Sequence, residues 1–216
     1  FQKKTVTLTW GCQAENHVGM QKVGKGLSDS GFSSKNLEQV KNLFEEKGFK
    51  TYLYDLNNEI KEIEETGIFD IPKAEILVIK KGIELFTNPS ELFNILIKLE
   101  WDKKYWDTRR QKVLNKHART NVCYGEKHRD PDYENKKGTI IGYDESPLVF
   151  RLKQVVEMLM QDNDLIVEGN KYVNVKKYGI GPHGDTERVV VLCLRVGEMM
   201  PIKYGWFHNM GWTNWN

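Results

Sequence analysis

Hydrophobic and polar positions in the first hundred residues predict a small α/β unit. Residues 4–10 alternate between polar and apolar and predict a strand, and residues 51–54 and 74–79 predict two more. Ser34 is a candidate N-cap for a helix that ends at Gly48, and Asn88 begins a second helix. The apolar residues of these two helices recur at helical spacing: Leu37, Val40, Leu43 and Phe44 in the first, and Leu92, Phe93, Leu96 and Leu99 in the second. The order strand, helix, strand, strand, helix is typical of an α/β unit over residues 1–100.

A second pattern begins after Trp101, where the density of charged residues rises. Residues 148–159 repeat apolar positions at helical spacing, residues 171–178 alternate, and residues 188–197 are rich in β-branched residues. They predict a helix, a half-exposed strand and a buried strand. Residues 179–182, Gly-Ile-Gly-Pro, predict a turn between the two strands. We therefore expect an α+β chain with a domain boundary near residue 100 and a second domain over residues 101–216.

Composition excludes several classes of protein. The chain has 216 residues and a formal net charge of +2, so no strong overall field directs it to nucleic acid. Its three cysteines, Cys12, Cys123 and Cys193, are far apart and show neither a disulfide framework nor zinc-ligand spacing. We expect a reducing intracellular compartment, cytoplasm or nucleus. No apolar run reaches the length of a membrane span, so no membrane partner is expected.

The most informative motif is His183-Gly184-Asp185, between the two predicted strands. Residues two apart on an extended segment point to the same side, so an imidazole and a carboxylate can contact one metal ion. Such a pair is part of the triad of two histidines and one carboxylate that leaves positions open on non-haem Fe(II). The pattern is short, and the alternative is a hydrogen-bonded pair within a turn.

Sequence around this motif resembles the AlkB-like Fe(II)/2-oxoglutarate dioxygenases. Asn170-Lys171-Tyr172 matches their N-x-Y segment, and residues 181–187 match G-x-H-x-D-x-E. Residues 119–125 are similar to the R-x-T-x-x-Y-G segment that precedes the barrel. Residues 15–20 and 115–119 also resemble segments of AlkB-like proteins of giant viruses and protists. Arg195 departs from the pattern, because a serine is usual there.

The resemblance covers roughly residues 115–210 and implies a double-stranded β-helix, or jelly-roll, oxygenase domain over residues 101–216. It implies Fe(II) held by His183 and Asp185, with Asn170 and Tyr172 contacting 2-oxoglutarate. The implied reaction is hydroxylation or oxidative demethylation, and an alkylated nucleobase is the implied substrate. Three residues are implied in a lid over the substrate: Arg119, Tyr124 and Tyr133.

The family's second histidine and its distal arginine have no clear counterpart here. Only His208 follows His183 among the histidines, and no arginine follows Arg195. We expect the sequence to be part of a longer polypeptide and the oxygenase domain to be incomplete in it. A degenerate family member, or His208 as the second ligand of a short barrel, are the alternatives.

Two further segments suggest partners. Residues 102–137 combine lysines and arginines with tyrosines and a tryptophan, which suits single-stranded nucleic acid or a flipped base, although six carboxylates dilute the charge. Trp206, Phe207, Trp212 and Trp215 form an aromatic cluster that suggests a protein partner. A catalytically inactive binding module and a structural subunit of a larger assembly are therefore the alternatives to an enzyme.

Overall fold

A computed structural model of the protein describes residues 3–27, 31–65, 67, 71–162, 164–185, 188–208 and 211–212. At residues 63, 64, 208, 211 and 212 it describes the backbone alone. The chain divides into two compact units. Unit 1 comprises Phe1–Phe32 and Ile83–Met199, and unit 2 comprises Ser33–Gly82 and Met200–Asn216. The architecture is mixed α/β, as the sequence predicted at this coarse level.

Unit 1 is built on one mixed five-stranded sheet. The strands and helices of this unit, in chain order, are β1 (Thr5–Gly11), β2 (Ala14–Glu15), β3 (Lys22–Val23), α3 (Pro89–Lys98), β6 (Lys104–Asp107), β7 (Lys112–Asn115), β8 (Thr120–Gly125), β9 (Ile140–Gly142), α4 (Pro147–Met160), β10 (Ile166–Tyr172) and β11 (Val191–Gly197). The large sheet has the strand order β11-β1-β10-β8-β9. All its neighbouring strands are antiparallel except β8 and β9, which are parallel.

The strands and helices of unit 2 lie between β3 and α3 in the sequence and again after β11. They are α1 (Ser34–Glu46), β4 (Thr51–Asp55), α2 (Lys61–Glu64), β5 (Glu75–Ile79), β12 (Phe207–His208) and β13 (Gly211–Trp212). One 3-10 helix, Leu56–Ile60, follows β4, and a second, Gly82–Leu85, spans the boundary between the units. In this unit α1 contacts β4 and β5, which pair as an antiparallel hairpin.

The position of β1 explains why the units do not follow the predicted boundary near residue 100. This strand lies between β10 and β11 and pairs with both along its whole length. An N-terminal strand is therefore part of the same sheet as the strands that flank the His183 motif. Residues 1–100 contribute to both units, and residues 101–216 do so as well.

The helix ends follow the local chemistry of their caps. Ser33, rather than the expected Ser34, caps α1: its side chain accepts a hydrogen bond from the Asn36 backbone, and the Asn36 side chain accepts one from the Ser33 backbone. The helix ends before Gly48, whose φ of +82° suits a left-handed residue after a helix. Asn88 caps α3 as predicted.

The predicted strand over residues 171–178 is wrong. The strand β10 ends at Tyr172, because Asn174 begins a turn. The Asn174 side chain accepts a hydrogen bond from the Lys176 backbone at 3.1 Å, and the Asn174 carbonyl accepts one from the Tyr178 backbone at 2.9 Å. Asparagine side chains compete in this way with the hydrogen bonds of a sheet.

The two faces of the large sheet differ in chemistry. In antiparallel strands, directly opposed residues share a face. One face carries Val6, Leu8 and Trp10 of β1, all with 0% exposure, beside Val122 and Val167. The helix α3 contacts β1 and β11 and has Leu92 and Leu96 fully buried. This apolar face forms the core, and the opposite face presents the polar side chains.

Candidate functional site

The second face of the sheet is polar and yet largely buried. The registers of β1, β8, β10 and β11 place on it Thr5, Thr7, Thr9, Asn121, Cys123, Glu168, Asn170, Tyr172, Cys193 and Arg195. We call these residues the polar face. Burying polar groups costs free energy unless they find partners. A sheet that gives one whole face to such groups is therefore a candidate for ligand binding.

Glu168 lies at the centre of the polar face with 0% exposure. Its Oε2 is 3.2 Å from Nη1 of Arg188, and its Oε1 is 4.0 Å from Nη1 of Arg119. The Asn121 amide also donates to Oε1 at 3.3 Å. A buried carboxylate requires this kind of compensation, so Glu168 anchors the guanidinium groups around it.

Asn170 and Tyr172 follow Glu168 along the same strand at alternate positions. Asn170 has 4% exposure, and its Oδ1 is buried with no hydrogen-bond partner among the described residues. Burial raises the pKa of the Tyr172 hydroxyl, and the nearby guanidinium groups of Arg119 and Arg195 offset part of that shift. The polar face thus combines one unsatisfied amide oxygen with Arg195, and Arg119 borders it, which suits an anionic ligand that also donates a proton.

His183 and Asp185 lie in the irregular segment between β10 and β11. His183 Nε2 is 3.7 Å from Asp185 Oδ1. His183 Nδ1 lies 2.7 Å from the Gly181 carbonyl oxygen, which can only accept, so Nδ1 carries the proton. In the neutral ring this leaves the lone pair on Nε2, the atom that faces Asp185. Histidine ligands of metals are oriented by this type of second hydrogen bond.

Arg188 connects this pair to the polar face. Its Nε is 3.2 Å from Asp185 Oδ2, while its Nη1 contacts Glu168. The Arg188 side chain is only 7% exposed. Arg188 therefore forms a salt bridge to each of the two carboxylates. One oxygen of Asp185 is held by Arg188 and the other faces His183.

The donor atoms present suit a metal ion, although they do not complete a site. A neutral imidazole nitrogen and a carboxylate oxygen are ligands of Fe(II) and of other divalent ions. Within the described residues, no group of three histidine, cysteine or carboxylate side chains is placed to hold a metal. His208 was the alternative candidate for the second ligand. Its side chain lies outside the described part of the chain, and His208 belongs to unit 2.

The three residues expected in a lid occupy different environments. Tyr124 is fully buried on the apolar face, and burial raises its pKa. A side chain enclosed in this way cannot contact a substrate, so the lid role of Tyr124 is corrected to a core role. Arg119 borders the polar face, as described above. Tyr133 donates to Asp102 Oδ1 at 2.9 Å.

Beside the polar face lies a buried network around Lys116. Its ammonium group donates to Asn16 Oδ1 at 2.6 Å and also to Asn121 Oδ1, and the Asn16 amide donates to Asp102 Oδ2 at 2.6 Å. Asp102 in turn accepts from the Thr139 backbone at 2.8 Å. These long-range bonds give Asn16 a structural role.

Lys116 makes the stability of the protein depend on pH. Burial lowers the pKa of Lys116 to about 8, from 10.5 in an exposed lysine, and Asp102 opposes this shift. Between pH 8 and pH 10.5 the unfolded chain binds more protons at Lys116 than the folded protein does. The free energy of unfolding therefore rises with pH in this range. Relative to Lys116→Met, we expect the parent protein to gain on the order of 3 kcal/mol between pH 7 and pH 10, at about 1.4 kcal/mol per pKa unit. Urea denaturation at four pH values measures this gain. The oxygen atoms that lose their partner in Lys116→Met lower its stability by the same amount at every pH. Parallel curves of unfolding free energy against pH for the parent and the variant would therefore contradict the prediction.

Comparison with known proteins gives one informative relative. The chain is 41% identical over 205 residues to "Uncharacterized protein R156" of Acanthamoeba polyphaga mimivirus, which covers 95% of this chain and 79% of the relative. The chain belongs to the family of this protein. No protein-family model matches the chain, and no solved structure does either.

Sequence reasoning missed Glu168 and Lys116 in this member of the R156 family. Glu168 carried a usable signal, because it stands two residues before Asn170 in a strand and must share its face. Lys116 carried none, since its partner Asn16 is a hundred residues away along the chain. The charge of Lys116 becomes unusual only through burial.

The expected partner segments are in part engaged within this R156-family chain. Arg110 pairs with Asp107 at 3.0 Å, and Arg129 donates to the Gly138 carbonyl at 3.0 Å. Trp206 donates to the Leu56 carbonyl at 3.1 Å, whereas Phe207 is 61% exposed. The side chains of Trp212 and Trp215 lie outside the described residues. Nucleic acid and a protein partner stay predictions.

In the described part of the chain, no helix has the length and apolar character needed to cross a membrane.

Proposed function

We propose that the protein is an Fe(II)- and 2-oxoglutarate-dependent dioxygenase that hydroxylates or oxidatively demethylates its substrate, with an alkylated nucleobase as the candidate substrate. The observation that carries the proposal is the pair His183 and Asp185, 3.7 Å apart. Through Arg188 this pair is linked to a buried polar face with an unsatisfied Asn170 oxygen. In this proposal the five-stranded sheet is one half of a jelly roll.

His183 and Asp185 would hold the metal ion. The hydrogen bond from His183 Nδ1 to the Gly181 carbonyl fixes the ring and presents Nε2. Arg188 holds one oxygen of Asp185 and leaves the other oxygen beside His183. Fe(II) held there with 2-oxoglutarate would supply an O2-dependent oxidation of a substrate C–H bond, with release of succinate and CO2 and, at an N-methyl group, loss of formaldehyde.

Asn170, Tyr172 and the arginines of the polar face would bind 2-oxoglutarate. The co-substrate has two carboxylates, and guanidinium groups bind carboxylates in a bidentate manner. Arg195 stands where the resembled family has serine, and it lies opposite Thr7, which pairs with Asn170. This arrangement gives the polar face an arginine that the sequence alone did not suggest as a ligand for the co-substrate.

The experiment that tests the proposal is the release of succinate from 2-oxoglutarate by the natural full-length protein. We expect succinate to form only with Fe(II), 2-oxoglutarate and O2 together, and to cease when a chelator removes the metal. A His128→Ala variant is a matched control, because His128 is an exposed histidine paired with Asp130 and Glu145. It should retain full activity. Absence of iron-dependent succinate, with or without methylated oligonucleotides, would contradict the proposal and favour the binding-module alternative.

A further inference from the structure

Four basic residues are among those that line a cavity of about 330 Å³ in unit 1. The cavity lies where β8 begins and β10 ends. The four residues are Lys103, Lys116, Arg119 and Lys171, and His117 also lines the cavity. The volume is at the lower end of the range of about 300–1,000 Å³ for small-molecule sites. The cavity is therefore large enough for a small anion and part of the group attached to it.

Lys103 and Lys171 carry charges that no carboxylate among the described residues neutralises. In that part of the chain, neither ammonium group has an acidic partner within 4.0 Å. The Lys171 ammonium group instead lies 5.1 Å from the centre of the Trp101 ring. Burial lowers the pKa of Lys171 to about 8, and the charges of Lys103 and Lys4 contribute to the shift. Mutual repulsion of this kind is relieved when an anion binds between the cations.

The remaining two cations also leave charge available to a ligand. Lys116 donates to amide and carbonyl oxygens of Asn16 and Asn121, and these contacts involve no carboxylate. Arg119 has Glu168 as a carboxylate neighbour at 4.0 Å, but Glu168 is closer to Arg188, at 3.2 Å. Four of the residues that line the cavity are therefore cations, and two of them, Lys103 and Lys171, have no acidic partner among the described residues.

We propose that this cavity binds a phosphate group, contributed either by a free nucleotide or by the backbone of a nucleic acid. A tetrahedral oxyanion can accept from several cations that approach from different sides, and arginine can contact two of its oxygens at once. A carboxylate has only two oxygens in one plane and needs fewer partners. This inference is independent of iron and 2-oxoglutarate chemistry.

The proposal is tested by isothermal titration of the full-length protein with inorganic phosphate and with AMP. The double variant Lys103→Gln/Lys171→Gln removes two of the four cations in the cavity wall. We expect it to weaken the binding of both ligands at least about tenfold. The matched control is Lys127→Gln, which removes one exposed lysine outside the cavity wall. It should bind phosphate and AMP as the parent does. No binding by the parent, or equal reductions in the double variant and the control, would overturn the proposal.

A second titration identifies the source of the phosphate. If the source is nucleic acid, single-stranded oligothymidylate should bind more tightly than AMP. The double variant should then lower the slope of log affinity against log salt by about one for each lysine that contacts a phosphate in the parent. If the source is a free nucleotide, AMP should bind and the oligonucleotide should not compete with it. Displacement of phosphate by 2-oxoglutarate at lower concentration than by AMP would make this a carboxylate site and overturn the phosphate assignment.

Discussion

Replacement of Arg188 by methionine is expected to lower the free energy of unfolding by about 3–5 kcal/mol. Arg188 is 7% exposed and contacts two carboxylates, Asp185 and the fully buried Glu168. Methionine preserves much of the packing volume but removes the charge, so Glu168 remains buried with Arg119 as its nearest guanidinium, at 4.0 Å. An uncompensated buried charge is among the largest single-site penalties in proteins. Urea denaturation followed by tryptophan fluorescence measures the decrease.

The chain contains a matched control for this prediction. Arg110 and Asp107 form an ion pair with the same three-residue spacing, at 3.0 Å, but the Arg110 side chain is 54% exposed. Arg110→Met should cost no more than about 1 kcal/mol, because exposed pairs contribute little. The double variant Glu168→Gln/Arg188→Met should recover part of the stability, since both charges are then absent. Equal costs for the two arginine variants would show that Glu168 is not effectively buried.

Local patterns predicted the secondary structure better than its arrangement. The strand β1 and the helices α1, α3 and α4 follow from periodicity and capping, which act over a few residues. The position of β1 between β10 and β11 depends on hydrogen bonds between residues more than 150 apart in sequence. No local pattern encodes such a pairing, and for this reason the structural units differ from the predicted boundary.

The same distinction applies to the candidate site. His183 and Asp185 are two residues apart, so their motif was visible in the sequence. The ion pair of Arg188 with Glu168 spans twenty residues and depends on how the irregular segment before β11 meets β10. The remaining differences between the predicted site and the structure result from burial. Tyr124 is a core residue because its strand position is on the enclosed apolar face, and burial lowers the pKa of Lys116 to about 8.

Replacement of Asp185 by asparagine is expected to abolish turnover and to lower metal affinity at least about a hundredfold. Mutation of a residue that only orients a metal ligand typically lowers the metal affinity about 10–100-fold. Asp185 is proposed to contact the metal itself, so its replacement should cost at least as much. Asparagine retains an oxygen at the position of Oδ1 or Oδ2, so an oxygen can still lie against the Arg188 guanidinium. Binding of Mn(II), followed by electron paramagnetic resonance, measures the affinity. Release of succinate measures the turnover.

The choice of asparagine separates a metal ligand from a structural carboxylate. If Asp185 served only to pair with Arg188, asparagine would weaken that contact and reduce stability, while metal binding and turnover would follow the fraction of folded protein. The proposed role requires the opposite result, a small change in the urea midpoint together with the disappearance of Mn(II) binding. An Asp130→Asn variant, at an exposed carboxylate that pairs with His128, should change neither quantity. Retention of Mn(II) affinity and succinate release by Asp185→Asn would remove Asp185 from the site, and with it the observation on which the dioxygenase proposal rests.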